Sequence, residues 1–63
     1  MKWIEVSKLL PNHRKDVLLF CAETGEWDRG WWDEPLGVFI VENTGSIRGV
    51  THWADVELPE VQP

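Results

Sequence analysis

The chain has 63 residues, eleven acidic and six basic, for a formal net charge of -5 and a pI near 4.7. That length allows one small domain covering residues 1–63. A domain this small buries only about 60% of the surface its unfolded chain exposes, and ordering each residue costs roughly 1.5 kcal/mol. The acidic balance disfavours binding to phosphate backbones, so no nucleic-acid partner is expected, and the lone Cys21 excludes an internal disulfide.

The opening Met1–Leu10 has one lysine near its start but no sustained apolar stretch and no small-residue cleavage site, so it does not read as a secretory signal. Lys2–Val6 reads as a short strand. Ser7 is a candidate helix N-cap and Pro11 ends whatever forms behind it, so at most one helical turn is expected near the N-terminus. Asn12–Asp16 is a polar loop.

Asp16–Glu23 carries the strongest strand signal. Val17, Leu19 and Cys21 alternate with Leu18, Phe20 and Ala22, which makes both faces apolar and predicts a central strand covered on each side. The N-terminal segment, with Trp3, Ile4, Leu9 and Leu10, is the available cover. Glu23–Glu26 is a hairpin turn built on Gly25. In the strand Trp27–Trp32, Trp27 and Trp31 share a face while Trp32 points the other way with Asp28. A turn at Asp33–Gly37 precedes a fourth strand at Val38–Glu42. A second turn, at Asn43–Ser46, leads into a last strand at Ile47–Trp53. That strand places Ile47, Gly49, Thr51 and Trp53 on one face and Arg48, Val50 and His52 on the other. Pro59 and Pro63 make residues 58–63 a frayed tail.

Strands about ten residues apart with turn signals between them predict an all-β domain, or a β-rich α+β one. The expected architecture is a small antiparallel meander of four to five strands, curled or barrel-like. No run reaches the roughly 18 apolar residues of a membrane helix, so no membrane partner is expected, and a single unpaired cysteine fits a reducing, cytoplasmic setting.

Catalysis finds little to work with. Cys21 lies in the most apolar run, where a thiol is normally inert core filling, and His13 and His52 are its only candidate bases. His13, Cys21 and His52 are scattered singles without zinc-ligand spacing, and there is no glycine-rich phosphate loop. Asp33–Glu34 reads as a solvated turn. A cleft of ordinary size, roughly 300 Å³ or more, is hard to build in so small a domain. The chain therefore reads as a non-enzyme without cofactor or metal, and His52 as a structural, hydrogen-bonded residue.

Five tryptophans in 63 residues are the more informative signal. In a domain of this size most serve as core. A tryptophan that no segment covers would instead anchor a partner, because tryptophan is enriched at interface hot spots and exposed apolar patches mark contacts. The candidate partner-binding residues are Trp27, Trp31, Trp32 and Arg29. Two further readings use the same residues or the charge: Trp31 or Trp32 as a platform for a carbohydrate or other small ligand, and an acidic surface that imitates DNA. Trp32 and Trp53 have about the spacing of the two tryptophans of proline-binding WW domains, but Phe39–Ile40 stands near the place of that module's aromatic pair, so that reading fails.

Trp3-Ile4-Glu5-Val6, Leu10-Pro11, the Val17-Leu18-Leu19-Phe20 strand and Val50-Thr51-His52-Trp53 followed by Leu58-Pro59 span nearly the whole chain. Together they resemble the domain of unknown function 551, a family of short proteins of tailed bacteriophages and bacterial prophages. Its members open Trp-Ile-x-Val and close Val-Thr-His-Trp-Met-Pro-Leu-Pro. Here Ala54-Asp55-Val56-Glu57 stands where the family has Met-Pro, two residues more. The resemblance implies a phage or prophage origin and a role inside the infected bacterium's cytoplasm. It brings no activity, because the family has none assigned. Taken together with the tryptophan signal, the chain reads as a phage-type accessory protein that binds a host or phage protein through a tryptophan-containing sheet face. The resemblance also suggests that Trp3 and Trp53 pair in space and close the sheet edge to edge.

Overall fold

The computed structural model describes residues 2–56, so the tail expected at 58–63 lies outside the described residues. The protein is all-β, with six strands: β1 (Ile4–Glu5), β2 (Val17–Cys21), β3 (Glu26–Asp33), β4 (Val38–Val41), β5 (Gly45–Ile47) and β6 (His52–Asp55). All pair antiparallel in one sheet of order β1-β6-β2-β3-β4-β5. The sheet is open, with β1 and β5 at its edges, so it is not a barrel. There is no helix among the described residues.

The segment expected to hold at most one helical turn forms a single hydrogen-bonded turn and no helix. The amides of Lys8 and Leu9 both donate to the Glu5 carbonyl, at 3.0 and 3.2 Å, so the turn opens at Glu5 and Ser7 caps nothing. β2 to β5 form the anticipated meander. Its hairpins close through backbone bonds: Gly25 N–H to the Cys21 carbonyl (2.8 Å), Gly37 N–H to Asp33 (2.8 Å) and Thr44 N–H to Val41 (3.0 Å).

Two features depart from a simple meander. The single strand expected over Ile47–Trp53 is two strands, β5 and β6, at distant places in the sheet. Gly49 sits between them at φ 83°, in the left-handed region, where an extended strand cannot continue and only glycine rests without strain. The second departure is that β6 does not stay at an edge. It inserts between β1 and β2, pairing Leu19 with Trp53 on one side and Ile4 with Trp53 on the other. The strands nearest the two ends of the chain do meet, but inside the sheet, so the contact does not close it; Ile4 stands opposite Trp53, and Trp3 packs on Phe20 on the other face instead of pairing with Trp53.

Residues directly opposite on paired strands share a face. One face therefore carries Ile4, Trp53, Val17, Leu19, Gly30, Trp32, Phe39, Val41 and Ile47. This is the core: Val17, Leu19, Phe39, Val41 and Trp53 are buried, and Ile4, Val6, Trp32, Ile47 and Val50 pack against them. The other face carries Glu5, His52, Ala54, Leu18, Phe20, Trp27, Arg29, Trp31 and Ile40.

The N-terminal segment covers the core face, though not with the side chains expected, while Trp3 packs on Phe20 on the other face. Leu9 and Leu10 are exposed, while Pro11 is buried. The indole N–H of Trp53 donates to the Leu9 carbonyl at 2.8 Å, so the segment is held over the core by its backbone. Gly30 lies where β3 passes from its pairing with β2 to its pairing with β4, and is paired to both. A Cβ there would land on the Ile40 carbonyl, so this close strand approach requires glycine.

Candidate functional site

The sequence-level candidates separate by face. Trp27, Arg29 and Trp31 lie together on the face opposite the core, as their period-two spacing predicts. Trp32 lies on the core face. Its ring packs at 4.8 Å from Phe39 at 56°, and its Nε1 points toward the Glu34 carboxylate, 3.4 Å away. Trp32 is thus core lining and leaves the candidate surface.

Trp27 is 65% exposed and is the most open of the tryptophans. It stands opposite Phe20 across the β2–β3 pair. Phe20 is half-buried and holds Trp3 on its other flank at 5.5 Å between centroids. Trp3 itself is 40% exposed. His52, facing Phe20 across the β2–β6 pair, stacks edge-on against it at 6.1 Å. The result is a row across the sheet, Trp3–Phe20–Trp27, uncovered by any described segment. The sequence reading missed Phe20 and Trp3 as members. The signal for Phe20 was present, since the strand pattern placed it with Leu18 on the face away from Val17 and Leu19.

Trp31 is half-buried beside this row, beneath Arg14, whose guanidinium carbon sits 5.9 Å from the indole centroid. That distance is within cation–π range. Arg14 is held there by its own backbone: it adopts φ 62°, and its N–H donates to the Trp32 carbonyl at 2.8 Å. His13 supports the same loop, accepting from the Glu34 N–H at Nδ1 (3.1 Å). Trp31 Nε1 is enclosed and has no hydrogen-bond partner among the described residues. Arg29 forks onto Asp16, with Nε 2.8 Å from Oδ2. The Asp16 carboxylate pushes the Arg29 pKa further up from its already high ordinary value, first through the hydrogen bond and then through its charge.

The Val50-Thr51-His52-Trp53 stretch is tied into the sheet through Thr51 and Trp53. The Thr51 hydroxyl accepts from the Ala22 N–H (3.0 Å), lies 3.2 Å from the Phe20 carbonyl and 2.8 Å from His52 Nδ1. The Thr51 amide donates to that same Phe20 carbonyl at 2.9 Å. Thr51 therefore fixes the entry of β6 beside β2, which carries Trp53 into the core and His52 to the aromatic face.

Cys21 is not the buried core thiol expected from its sequence context. It is half-buried and lines a cavity of about 240 Å³ with Leu19, Thr24, Ile47 and Val50. Hydrogen bonds from the Thr24 hydroxyl and backbone lower its pKa below the ordinary thiol value. No cluster of three or more histidine, cysteine or acidic side chains able to hold a metal occurs among the described residues. No helix there is long and apolar enough to cross a membrane.

The family model described as "Protein of unknown function (DUF551)" matches residues 2–61. The chain belongs to this family. The match takes in every strand of the sheet, including β1 and β6, which pair with each other. No curated protein and no solved structure matches the chain at a significant level.

Proposed function

We propose that this protein is a phage-type accessory factor that works by binding a host or phage protein in the bacterial cytoplasm, through the sheet face bearing Trp27. The observation that carries this reading is the row Trp3–Phe20–Trp27, with Trp27 65% exposed in a domain too small to leave aromatic surface unused without cost. Exposed apolar patches of this kind mark contact sites, and tryptophan is over-represented where binding energy concentrates. The surrounding Arg29–Asp16 pair and Arg14 supply a polar rim.

The test is affinity capture from a bacterial lysate with the wild-type chain, Trp27→Ala and Leu36→Ala. Leu36 is equally exposed, but at the β3–β4 turn. A partner retained by Leu36→Ala and lost by Trp27→Ala supports the reading. Equal retention by both variants refutes it. A second reading, a carbohydrate site, is favoured by an open cleft beside Trp31 lined by Asp16, Arg29, Glu42 and Asn43, a set of polar groups suited to sugar hydroxyls. Binding of the chain to immobilised glycans, abolished by Asn43→Ala, would select it.

A further inference from the structure

β3 has eight residues but is paired on both sides along only part of its length. It pairs with β2 over Glu26–Gly30 and with β4 over Gly30–Asp33. β4 ends at Val41 and the chain turns away through 42–44 into β5. Glu26–Arg29 therefore has a neighbour on one side only, and among the described residues no backbone hydrogen bond reaches its other side.

Two hollows meet at this edge. The cavity of about 240 Å³ borders Glu26, Trp27 and Asp28, and the open cleft borders Asp28, Arg29 and Glu42. We propose that the Glu26–Arg29 edge is a strand-addition site, at which an extended, basic segment of a partner protein fills the place that β4 leaves empty. This rests on the reading of the Trp27 face as protein-binding and names how the partner is held.

An unpaired strand edge presents amides and carbonyls ready to pair, and side-chain pockets on alternate residues then set specificity. The two sides of the edge differ in chemistry. Glu26 and Asp28 project on the core side of the sheet and Trp27 on the other. Among the described residues, Glu26, Asp28 and Glu42 have no ion-pair partner. An occupant with lysine or arginine at alternate positions meets these acids, and the apolar residues between lie against Trp27. The chain's own residues 57–63 suit the edge poorly, since they carry Glu57, Glu60, Pro59 and Pro63 and no basic residue.

The probe is a short synthetic peptide alternating valine and lysine, added to the full-length chain and followed by amide exchange and by Trp27 emission. Those amides of Glu26–Arg29 that point away from β2 are expected to exchange fast in the free chain and to slow about tenfold with peptide. Glu26→Lys with Asp28→Lys should weaken this peptide about fivefold and favour one alternating valine and glutamate. A peptide methylated on alternate backbone nitrogens should lose the protection. If the methylated peptide shifts Trp27 emission as strongly as its parent, the strand-addition proposal falls while the binding face stands. The proposal also falls if the parent peptide protects no edge amide, or if all four amides are already protected in the free chain. A partner captured through Trp27 whose binding leaves these amides unprotected overturns it equally.

Discussion

Trp53 and Trp27 are the same residue on two faces of one sheet, and their surroundings differ in almost every respect. Trp53 is 6% exposed, sits on the interior strand β6 between Ile4 and Leu19, and has its indole N–H bonded to the Leu9 carbonyl. Trp27 is 65% exposed on the half of β3 that has a neighbour on one side only. The lesson is that one covering segment serves one face. The chain between β1 and β2 lies over the core side, held there by the Leu9 carbonyl, while Arg14 and Asp16 from its end meet Trp31 and Arg29 on the other face.

The contrast can be broken in order of expected effect. Trp53→Ala should cost about 3–5 kcal/mol in denaturant unfolding, from lost burial and a residual cavity; an unchanged midpoint would mean that the core face is not what holds the domain. Gly30→Ala should cost about 1–3 kcal/mol, because the added methyl meets the Ile40 carbonyl and the β3–β4 pair must spread. Thr51→Val should cost about 1–2 kcal/mol by leaving the Ala22 amide without its acceptor. Trp27→Ala should change stability by no more than about 0.5 kcal/mol, as an exposed substitution, while removing the proposed binding; a loss comparable to that of Trp53→Ala would erase the distinction between the faces. The smallest effect concerns reactivity alone. A lowered Cys21 pKa places more thiolate at neutral pH than an ordinary thiol has, so alkylation should rise at lower pH than for a free cysteine. Thr24→Val should move that rise to higher pH, read by alkylation rate against pH.

Much of this is local and therefore legible in the sequence. Val17–Cys21 is an apolar run between acids, and its neighbours turn at Gly25 and at Asn43–Gly45, so β2, β3 and β4 follow from composition and punctuation. The shared face of Trp27 and Trp31, and the opposite direction of Trp32, follow from alternation alone. The split at Gly49 did not follow. Ile47, Gly49, Thr51 and Trp53 alternate perfectly, and the positive φ that breaks the strand leaves no mark in that pattern. Nor could β6 be placed between β1 and β2, because pairing between distant segments is fixed by the whole core rather than by any one stretch. The same holds for the site. Which tryptophan face stays open depends on the path of residues 6–12, and that path is secured by a backbone carbonyl, a group every residue carries. Arg14 over Trp31 and Asp16 on Arg29 are likewise meetings of ordinary loop residues that no spacing announces.

The interior position of β6 also has a temporal side. β2 through β5 pair as sequence neighbours, whereas β1 and β2 gain their shared neighbour only when His52–Asp55 docks between them. Loop closure between the two ends of the sheet comes late, and pairings of such wide sequence separation form slowly. Until β6 docks, the facing edges of β1 and β2 have no partner and the core lacks the Trp53 side chain. Docking of β6 is therefore the step that joins β1 to the meander and brings Trp53 into the core.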